Sequence, residues 1–437
     1  MNLYIHIEIL KREFQSKLLI GMESASRGIK VYMGRLEPYI LRDFFVPGIV
    51  MQKSLTPSPN RLKELRGYKK KKFIVTSLDE EIGLVNLNYR QWMKLRFSNT
   101  SVNLSDKIFT WGKFDYDNLT KKFKKFKNKF VLSGNPRVDF WRRDMESLFK
   151  KNKISYKNYI LISCNFFLLT KKEFAKKLKF LKKSNYLKRG YTVSKYRKRI
   201  KDSARMFEEF SNLIKVLSQE TKLKIIVRPH PIEDLNKYDF LSKFKNVKVT
   251  NAGSISEWIP NAKLVVHSGC TGGLEASMRG RPTVSYIPFN SSHGHPFCDR
   301  FSIKAKSQKK CISIINEICR NSIKIKKTNL KNLKFRAHNL LSPQPGYKII
   351  ADEFCRLIKE KKAYYNNNDF YLNLRFKLRD LRSRIFNLKY GNIKFSFFDK
   401  NQTLKTFEIF KNLDPKFNNL KLNFIKKEII QIKKIVI

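Results

Sequence analysis

The sequence predicts an α/β protein with two Rossmann-like domains that face a cleft, followed by a basic, helical C-terminal extension. Short apolar runs rich in β-branched residues end in polar, Gly or Pro residues, as strands buried on both faces do. Helix-like segments separate these runs, so the sheets should be parallel. The 437 residues, of which 42% are hydrophobic, suffice for two or three domains with sizeable cores.

The first domain is predicted over residues 1–150. A helix between its first two strands should end at Gly28, and a Gly-Asn-Pro turn at residues 134–136 follows its last strand. The predicted strands of this domain are Tyr4–Ile9, Ile29–Met33, Phe73–Thr76, Ile108–Trp111 and Phe130–Ser133.

The second domain is predicted over residues 151–348, and a helix over residues 349–365 should follow it. Apolar residues at helical spacing predict an amphipathic helix over Ala204–Leu217, and the basic segment Lys171–Arg199 is interpreted as a partly helical lid. The predicted strands are Tyr159–Ser163, Lys224–Val227, Val247–Thr250, Leu264–His267 and Thr283–Ile287.

The C-terminal extension, residues 366–437, is rich in Lys, Asn and Phe. Two helices are predicted there, Asn373–Ile385 and Leu420–Ile435. Basic residues mixed with aromatic ones are typical of helices that lie on an anionic membrane surface. The alternative is a helical appendage surrounded by solvent.

Polar clusters follow the strands of the second domain, where parallel sheets bind their ligands. A small-residue turn leads from His267 into a helix that should begin near Gly272, and its backbone N–H groups and helix dipole favour an anion. The alternative is a capped turn whose glycines only allow close packing. The residues predicted to bind a nucleotide and its phosphates are Arg228, His230, Pro231, Ser256, Glu257, His267, Ser268, Gly269, Thr271, Gly272, Gly273 and Glu275.

These residues have separate expected roles. Arg228 and His230 should neutralise phosphate charge, Glu275 should bind the ribose hydroxyls, and Ser256 with Glu257 should contact the base. His293 and His295 have a spacing that can chelate a metal, but no third ligand is evident, and no metal is predicted.

Acidic residues at strand ends of the first domain are the catalytic candidates. Asp79, Glu80 and Glu81 follow a predicted strand, and Glu8 lies at the end of the first strand. A carboxylate there could deprotonate an acceptor hydroxyl or act as a nucleophile. The alternative is an acidic helix N-terminus that complements the helix dipole. Glu80 and Glu81 share the prediction equally.

Four further residues lie where the predicted cleft would be. Asn135, Arg137 and Asp139 follow the last strand of the first domain, and Asn165 follows the first strand of the second. They are predicted to contact substrate or to support residues that do. A purely architectural role for the turn that contains Asn135 is the alternative.

Composition limits the partners and the compartment. A net charge of +56, from 92 Lys and Arg against 36 Asp and Glu, favours polyanions such as nucleic acid, anionic lipid or acidic glycans. The bias of an AT-rich genome towards Lys, Asn, Ile and Phe codons is the alternative cause. Six cysteines without a CxxC pair indicate reduced thiols, and no apolar run reaches the ~20 residues of a membrane span. A cytoplasmic protein without a signal peptide is therefore expected.

Several motifs resemble known families. RPHP at residues 228–231, HSGCTGGLEA at 267–276 and GRPTVSY at 280–286 resemble the donor half of GT-B glycosyltransferases. The His-Pro pair is similar to that of transferases using CMP-activated sugars and of teichoic-type glycerol-phosphate transferases. Upstream, IHIEILKREFQSKLLIG (5–21), SLDEEIG (77–83), FTWGKFDYDNL (109–119) and SGNPRVDFWR (133–142) resemble the surface carbohydrate biosynthesis proteins, over residues 1–350.

The resemblance implies a metal-independent glycosyltransferase of bacterial lipopolysaccharide, capsule or other surface polysaccharide synthesis. It implies a nucleotide-sugar donor, with a CMP-activated acidic sugar such as Kdo favoured over UDP- or CDP-linked donors, and no further cofactor. It also implies a glycan or glycolipid acceptor, a peripheral place at the inner face of the cytoplasmic membrane, and a crossover helix over residues 349–365.

Three alternatives remain at this point. A polyol-phosphate transferase would use the same His-Pro pair and anion turn. A nucleic-acid-binding protein would explain the charge, but the lysines are spread along the chain and no specific nucleic-acid motif is present. A non-catalytic homologue acting as a scaffold is the third.

Overall fold

The computed structural model describes residues 1–80, 89–145, 148, 156–166, 168, 170–183, 187, 192–231, 233–321, 335–340, 342–361, 367–385 and 397–435. The strands are β1 Asn2–His6, β2 Lys30–Gly34, β3 Ile49–Gln52, β4 Ile74–Leu78, β5 Lys107–Thr110, β6 Phe130–Leu132, β7 Tyr159–Ser163, β8 Ile225–Arg228, β9 Val247–Val249, β10 Ala262–His267, β11 Thr283–Tyr286, β12 Ile303–Ala305, β13 Leu420–Lys426 and β14 Ile429–Lys434.

The α-helices alternate with most of these strands. They are α1 Leu10–Ser26, α2 Glu37–Ile40, α3 Pro59–Lys70, α4 Tyr89–Arg96, α5 Asn99–Asn103, α6 Lys113–Lys122, α7 Pro136–Asp139, α8 Lys171–Lys183, α9 Val193–Glu220, α10 Ile255–Trp258, α11 Thr271–Met278, α12 Gln308–Cys319, α13 Gly346–Glu360, α14 Asp369–Ile385 and α15 Lys400–Lys411. Among the residues that the structure describes, no helix is long and apolar enough to cross a membrane.

The chain forms two compact units. Unit 1 contains Met1–Leu84, Met93–Phe140 and Lys334–Ile437, and unit 2 contains Val85–Trp92 and Trp141–Leu333. Each unit has its own largely parallel sheet with helices between the strands. The predicted α/β class with two such units is therefore confirmed.

Unit 1 has an eight-stranded sheet in the order β13-β14-β2-β1-β3-β4-β5-β6. The strands from β2 to β6 are parallel, and β1 is buried along its whole length, as its apolar residues require. Strand β3 was missed by sequence reasoning, because its apolar run, Ile49–Met51, directly follows Pro47 and Gly48, which are typical of a turn.

The helix predicted over Leu420–Ile435 is wrong, because these residues form the antiparallel hairpin β13–β14. Their apolar residues alternate with period two, from Leu420 to Leu422 and from Ile430 to Ile432, which is a strand period. Strand β14 pairs antiparallel with β2 and thereby extends the sheet of unit 1. The extension is helical in α14, close to the predicted Asn373–Ile385, and in α15.

Asp139 joins the two segments of unit 1 that lie far apart in the sequence. Its carboxylate is fully buried and accepts hydrogen bonds from the N–H groups of Gly346 (2.8 Å) and Tyr347 (3.0 Å), in the first turn of α13. The side chain of Asn339 also donates to Asp139 (2.6 Å) and to the carbonyl oxygen of Asn135 (2.8 Å). We call these contacts the Asp139 clasp. A carboxylate at a helix N-terminus is favoured by the helix dipole.

Unit 2 has a six-stranded, parallel sheet in the order β12-β11-β10-β7-β8-β9. One face of the sheet packs against α9 and α12 through a core that includes Phe210, Leu213 and Ile315. Helix α9 contains the predicted amphipathic helix. In chain order this is the doubly wound 3-2-1-4-5-6 arrangement, whose order reverses between β7 and β10.

The hairpin packing can be tested with two substitutions. We expect Ile430→Ala to lower the free energy of unfolding by about 2–5 kcal/mol, because Ile430 is fully buried in unit 1. Ile435→Ala should change it by less than about 0.5 kcal/mol, since that side chain is 45% exposed. Urea titrations followed by circular dichroism measure both. Equal stability of Ile430→Ala and the parent would mean that the hairpin is a solvated appendage.

Candidate functional site

The candidate site of unit 2 lies where the strand order reverses. Doubly wound sheets bind ligands outside the carboxyl ends of the two strands at such a point. These strands are β7, which ends at Ser163, and β10, which ends at His267. Asn165, two residues after β7, and Ser268, directly after β10, both have polar side chains. The two polar clusters are therefore held side by side by the sheet itself.

A hydrogen-bond network connects three loops at this edge. The Asn165 side-chain oxygen accepts from Ser268 Oγ (3.3 Å) and lies 2.9 Å from His293 Nε2. The His293 ring stacks on Phe166, and burial is the first of the causes that lower the pKa of His293 to about 4. His293 is therefore neutral near pH 7, and if Nε2–H donates to Asn165, Nδ1 is an acceptor. No described residue hydrogen-bonds this buried Nδ1 atom.

His293 was considered from the sequence only as a metal ligand. In the structure it belongs with Asn165 and Ser268, and its loop follows β11. The signal available in the sequence was its position in a Gly-, Ser- and His-rich loop after a strand. The described residues contain no group of three or more His, Cys, Asp or Glu side chains that could hold a metal ion.

The turn after β10 is built around close backbone approaches. Gly269 has φ of +70°, and a Cβ there would lie 2.7 Å from the backbone nitrogen of His295. The N–H of His295 donates to the Gly269 carbonyl oxygen (2.7 Å). A Cβ at Gly273 would lie 2.2 Å from the His267 ring. Both glycines are therefore required for packing, whether or not an anion binds.

Helix α11 begins at Thr271, one residue before the predicted start. Cys270 is its N-cap, and Cys270 Sγ accepts from the Gly273 N–H at 3.4 Å. Ser163 Oγ lies 3.1 Å from the same sulfur. Burial raises the pKa of the Cys270 thiol, so this cysteine is a capping group with little thiolate character. Gly272 is buried and Thr271 is partly exposed at the start of the helix.

His267 positions the turn from inside. The ring is fully buried, its Nδ1 accepts from the N–H of Gly269 (3.1 Å), and its Nε2 lies 2.7 Å from Ser302 Oγ. Burial lowers the pKa of His267 to about 4, so the ring is neutral at pH 7. Its contacts differ from those expected of a phosphate ligand, because both ring nitrogens are used inside the protein.

Arg228 also has a different use from the one expected. Its guanidinium donates to the carbonyl oxygens of Thr250 (3.1 Å), Ala252 (2.7 Å) and Gly253 (2.9 Å). Burial lowers the pKa of Arg228 to about 10. Nε of Arg228 is buried and has no hydrogen-bond partner among the described residues. Most of the donor capacity of this arginine therefore holds the loop after β9.

The residues expected to bind the ribose and the base form ion pairs and hydrogen bonds within the protein. Glu275 pairs with Arg279 (3.2 Å), and Arg279 donates to the carbonyl oxygen of Ser256 (2.9 Å). Glu257 accepts from the N–H and Oγ of Ser254, both at 3.1 Å, and so caps α10. The structure therefore brings Ser256 and Glu275 together through Arg279 and uses Glu257 as a helix cap.

The His-Pro loop is held by Glu233, which sequence reasoning missed. Glu233 accepts from the N–H of His230 (2.9 Å) and from the hydroxyl of Tyr238 (2.5 Å). Burial raises the pKa of Glu233 to about 7. His230 is partly exposed and Pro231 is exposed. The available signal was an acid three residues after a His-Pro turn, a spacing that allows a side chain to cap the turn.

Unit 1 reverses its strand order between β1 and β3. In the flavodoxin-like order 2-1-3-4-5, ligands bind at this switch point. Glu8, which follows β1, forms an ion pair with Lys53, which follows β3. The N–H of Glu80, after β4, donates to the Lys53 carbonyl oxygen at 3.1 Å. The structure thus brings the predicted candidates Glu8 and Glu80 to the same edge of the sheet.

Glu80 is a buried carboxyl group, and one of its oxygens accepts no hydrogen bond from a described residue. Its Oε1 lies 3.6 Å from Lys17 Nζ, and its Oε2 lies 4.0 Å from Arg137 Nη1. No described residue hydrogen-bonds Oε2. Burial raises the pKa of Glu80, although Lys17 partly opposes this effect. A raised pKa makes a carboxylate a stronger base than an exposed one, which is typical of groups that accept a proton in catalysis.

Lys17 is satisfied without Glu80. Its ammonium group donates to the His6 carbonyl oxygen and to Glu13, both at 2.7 Å. Glu13 in turn accepts from the N–H groups of Glu8 (3.1 Å) and Ile9 (3.2 Å). Burial opposes ionisation of Glu13, but Lys17 and Arg12 lower its pKa. Glu13 and Lys17 therefore form a complete ion pair, and Glu80 is the additional acid beside it.

The other candidates of unit 1 are used in different ways. Asp79 accepts two hydrogen bonds from Arg96, both at 2.8 Å, so its carboxylate is committed to that arginine. Asn135 caps α7 through its side-chain oxygen, and its buried Nδ2 has no hydrogen-bond partner among the described residues. Asp139 forms the clasp. Glu81 lies outside the described residues.

No protein-family model matches the sequence, and no curated protein matches it. Among solved structures, the chain is similar to the UDP-GlcNAc 2-epimerase of Methanocaldococcus jannaschii in complex with UDP-GlcNAc and UDP. The identity is 14% and the TM-score 0.48, over 82% of this chain and 100% of that chain. The chain is also similar to UDP-GlcNAc 2-epimerase from Neisseria meningitidis bound to UDP-GlcNAc, with 12% identity and a TM-score of 0.46 over 82% of this chain and 100% of that chain. A wall teichoic acid polymerase is similar with 10% identity and a TM-score of 0.48, over 83% of this chain and 90% of that chain. We transfer no residue role from these proteins.

The buried His267 predicts a loss of stability in acid. Its pKa is about 4 in the folded protein against about 6.5 when unfolded, so its contribution is complete above pH 6.5 and is lost as pH falls towards 4. The loss for this residue should be about 3 kcal/mol. Urea titrations at several pH values measure it.

Two variants separate titration from packing. His267→Asn should be less stable than the parent at pH 7 but should lose less stability on acidification, since Asn does not titrate. Ser302→Ala removes only the hydroxyl beside His267 Nε2 and should keep most of the pH dependence. If His267→Asn loses as much stability in acid as the parent does, another group is responsible.

Proposed function

We propose that this protein is a cytoplasmic glycosyltransferase of surface polysaccharide synthesis, which transfers a sugar from a nucleotide donor to a glycan or glycolipid acceptor. The observation that carries the proposal is Glu80, a buried carboxyl with a raised pKa and an oxygen that accepts no hydrogen bond from a described residue, at a ligand-binding edge of a parallel sheet. Structural carboxylates such as Asp79 and Glu13 are fully paired, whereas Glu80 is not. Perturbed acids of this kind are typical of catalytic groups.

The nucleotide is proposed to bind to unit 2 at the carboxyl ends of β7 and β10. Asn165, Ser268 and His293 offer an amide, a hydroxyl and an acceptor nitrogen there. The N-terminus of α11, with Thr271 and Gly272, favours the negative charge of a phosphate. Stabilising the charge on the departing phosphate is the largest electrostatic requirement of this reaction. This assignment keeps Ser268, Thr271 and Gly272 as ligands and adds His293.

Glu80 is proposed to act as the general base. In its ionised form it would take the proton from an acceptor hydroxyl as that oxygen forms a bond to the anomeric carbon of the donor, while the bond from this carbon to the phosphate oxygen breaks and the nucleotide leaves. The positive charge of Lys17, next to Oε1, stabilises the ionised form of Glu80, and Arg137 lies next to Oε2. Because Lys17 also pairs with Glu13, it stays positioned while Glu80 gains and loses its proton. Glu81 remains a second candidate for this role.

The donor is proposed to be a CMP-activated acidic sugar, with UDP-, CDP- and GDP-linked donors as the alternatives to be screened. Thermal shift with CMP, UDP, CDP and GDP tests this directly, because a ligand that binds only the folded state raises its melting temperature. A metal ion is not required in the proposal, since helix N-termini and cations can supply the charge stabilisation.

Nucleotide binding should depend on the loops of unit 2. We expect Asn165→Ala and Thr271→Val each to weaken nucleotide binding by about tenfold, because each removes one hydrogen-bonding group from the proposed site. Asn236→Ala is the matched control, since Asn236 is exposed and lies on the connection between β8 and β9. Isothermal titration with the nucleotide found in the screen gives the dissociation constants. Parental affinity in both site variants would place the nucleotide elsewhere.

Removing the Glu80 carboxylate should separate activity from stability. We expect Glu80→Gln to lower kcat by at least about a thousandfold with little change in donor affinity, as for a group used in the transition state. Its unfolding free energy at pH 7 should be equal to or above that of the parent, because a buried carboxyl of raised pKa opposes folding when ionised.

The control for this variant is Glu23→Gln, which changes a fully buried carboxylate paired with Arg27 near the other end of α1. It should lose stability and keep most of its kcat. If Glu80→Gln turns over at the parental rate, Glu80 is structural, and Glu81 and Glu8 are the next residues to substitute.

A further inference from the structure

Helix α14 is fixed to unit 1 through one of its faces. Phe376 packs against Tyr39 and Phe44, with ring centroids 5.1 and 5.2 Å apart. At the start of the helix, Asp369 accepts hydrogen bonds from Lys30 and Lys433, both at 3.0 Å. Leu372 lies on the same buried face. The orientation of α14 on its unit is therefore set by packing and by ion pairs.

The opposite face of α14 exposes large apolar side chains. Phe370 is 71% exposed and Leu378 is 57% exposed. At about 100° per residue, the exposed apolar residues fall within roughly 100° of arc on the helix surface. We call this set the α14 stripe, and its members are Phe370, Tyr371, Leu374, Leu378 and Leu381. A continuous apolar stripe on a surface helix marks an interaction site more often than scattered apolar residues do.

Cationic residues border the α14 stripe. By the same helical spacing, Lys377 lies just outside one edge and Arg375 just outside the other, and both are exposed. Arg375 also donates to the carbonyl oxygen of Asp43, which keeps it at that edge. The whole chain has a net charge of +56, so long-range attraction favours an anionic partner.

We propose that the α14 stripe docks on an anionic lipid surface. An apolar face bordered by Lys and Arg is the pattern of helices that lie in the interface of a membrane, with apolar side chains among the acyl chains and cations at the headgroups. A second copy of this chain fits less well, because apposed stripes would bring their cationic borders together. The docking itself does not depend on the proposed function. Its role in reaching a lipid-linked acceptor does.

Vesicle sedimentation with the full-length protein tests the proposal. The probes are vesicles of phosphatidylcholine mixed with phosphatidylglycerol, and vesicles of phosphatidylcholine alone. We expect the parent to sediment with the anionic vesicles at ~0.1 M salt and much less at ~1 M salt, where the Debye length falls from ~10 to ~3 Å. Binding to the neutral vesicles should be weak.

The double variant Phe370→Ser/Leu378→Ser should bind the anionic vesicles at least about tenfold more weakly, because two large apolar side chains are lost from the interface. Lys377→Glu should also weaken binding. The matched controls are Phe180→Ser on α8, where Phe180 is 50% exposed, and Lys421→Glu on β13, and both should bind as the parent does. All substituted side chains are exposed, so the melting temperatures should stay close to the parental value.

Several results would overturn the proposal. One is parental vesicle binding by the double variant, and another is equal binding of the parent to neutral and anionic vesicles. A third is absence of vesicle binding together with a dimer that the double variant abolishes, which would assign the stripe to a second copy. Nucleotide titration of the double variant should give the parental affinity. Loss of vesicle binding with intact nucleotide binding therefore distinguishes this proposal from the proposed function.

Discussion

The Asp139 clasp is the contact on which the architecture of unit 1 depends. The chain leaves this unit after Phe140 and returns at Lys334, and the clasp joins residues 135–139 to residues 339–347 across that excursion. Closing so long a loop costs conformational entropy, and a buried carboxylate bound by three donors compensates for part of it. The clasp also orients α13, which packs on α1, the helix that contains Glu13 and Lys17. The buried acid of the candidate site is thus supported from the return segment.

Some polar groups at the two sheet edges use their hydrogen bonds to hold the fold together, and others have hydrogen-bonding atoms without a partner among the described residues. Arg228, Glu257 and Asp79 hold backbone or another side chain with most of their hydrogen-bonding capacity. Glu80 Oε2 and His293 Nδ1 are buried and have no hydrogen-bond partner among the described residues. An unpaired buried polar atom costs stability, and at these two sheet edges a bound ligand would supply the missing partner.

The fold class and the sheet edges at which the candidate sites lie could be predicted from the sequence, because the period of a strand and the polar residues at its end are local properties. The apolar runs that became β7, β8 and β10 are examples. The hairpin of residues 420–434 was misread as a helix because its lysines obscure a period of two, and β3 was missed because it directly follows the turn residues Pro47 and Gly48. The sequence could not show which polar residues remain free to bind a ligand. Arg228 and Asp139 bind backbone groups of a loop and of a distant segment, and neither has a regular period that local patterns would show. The position of His293 beside Asn165 likewise depends on a strand order that local patterns do not contain.

The pairing of β14 with β2 determines the order in which this protein matures on the ribosome. Gln431, which donates to the Tyr32 hydroxyl, is synthesised 399 residues after it. Residues 141–333 can fold as they emerge, whereas β2 stays an edge strand with unpaired N–H and C=O groups until residues 429–434 have been synthesised. A chain that lacks residues 420–434 therefore presents β2, an apolar strand, at the sheet edge, where the strand of another molecule can pair with it.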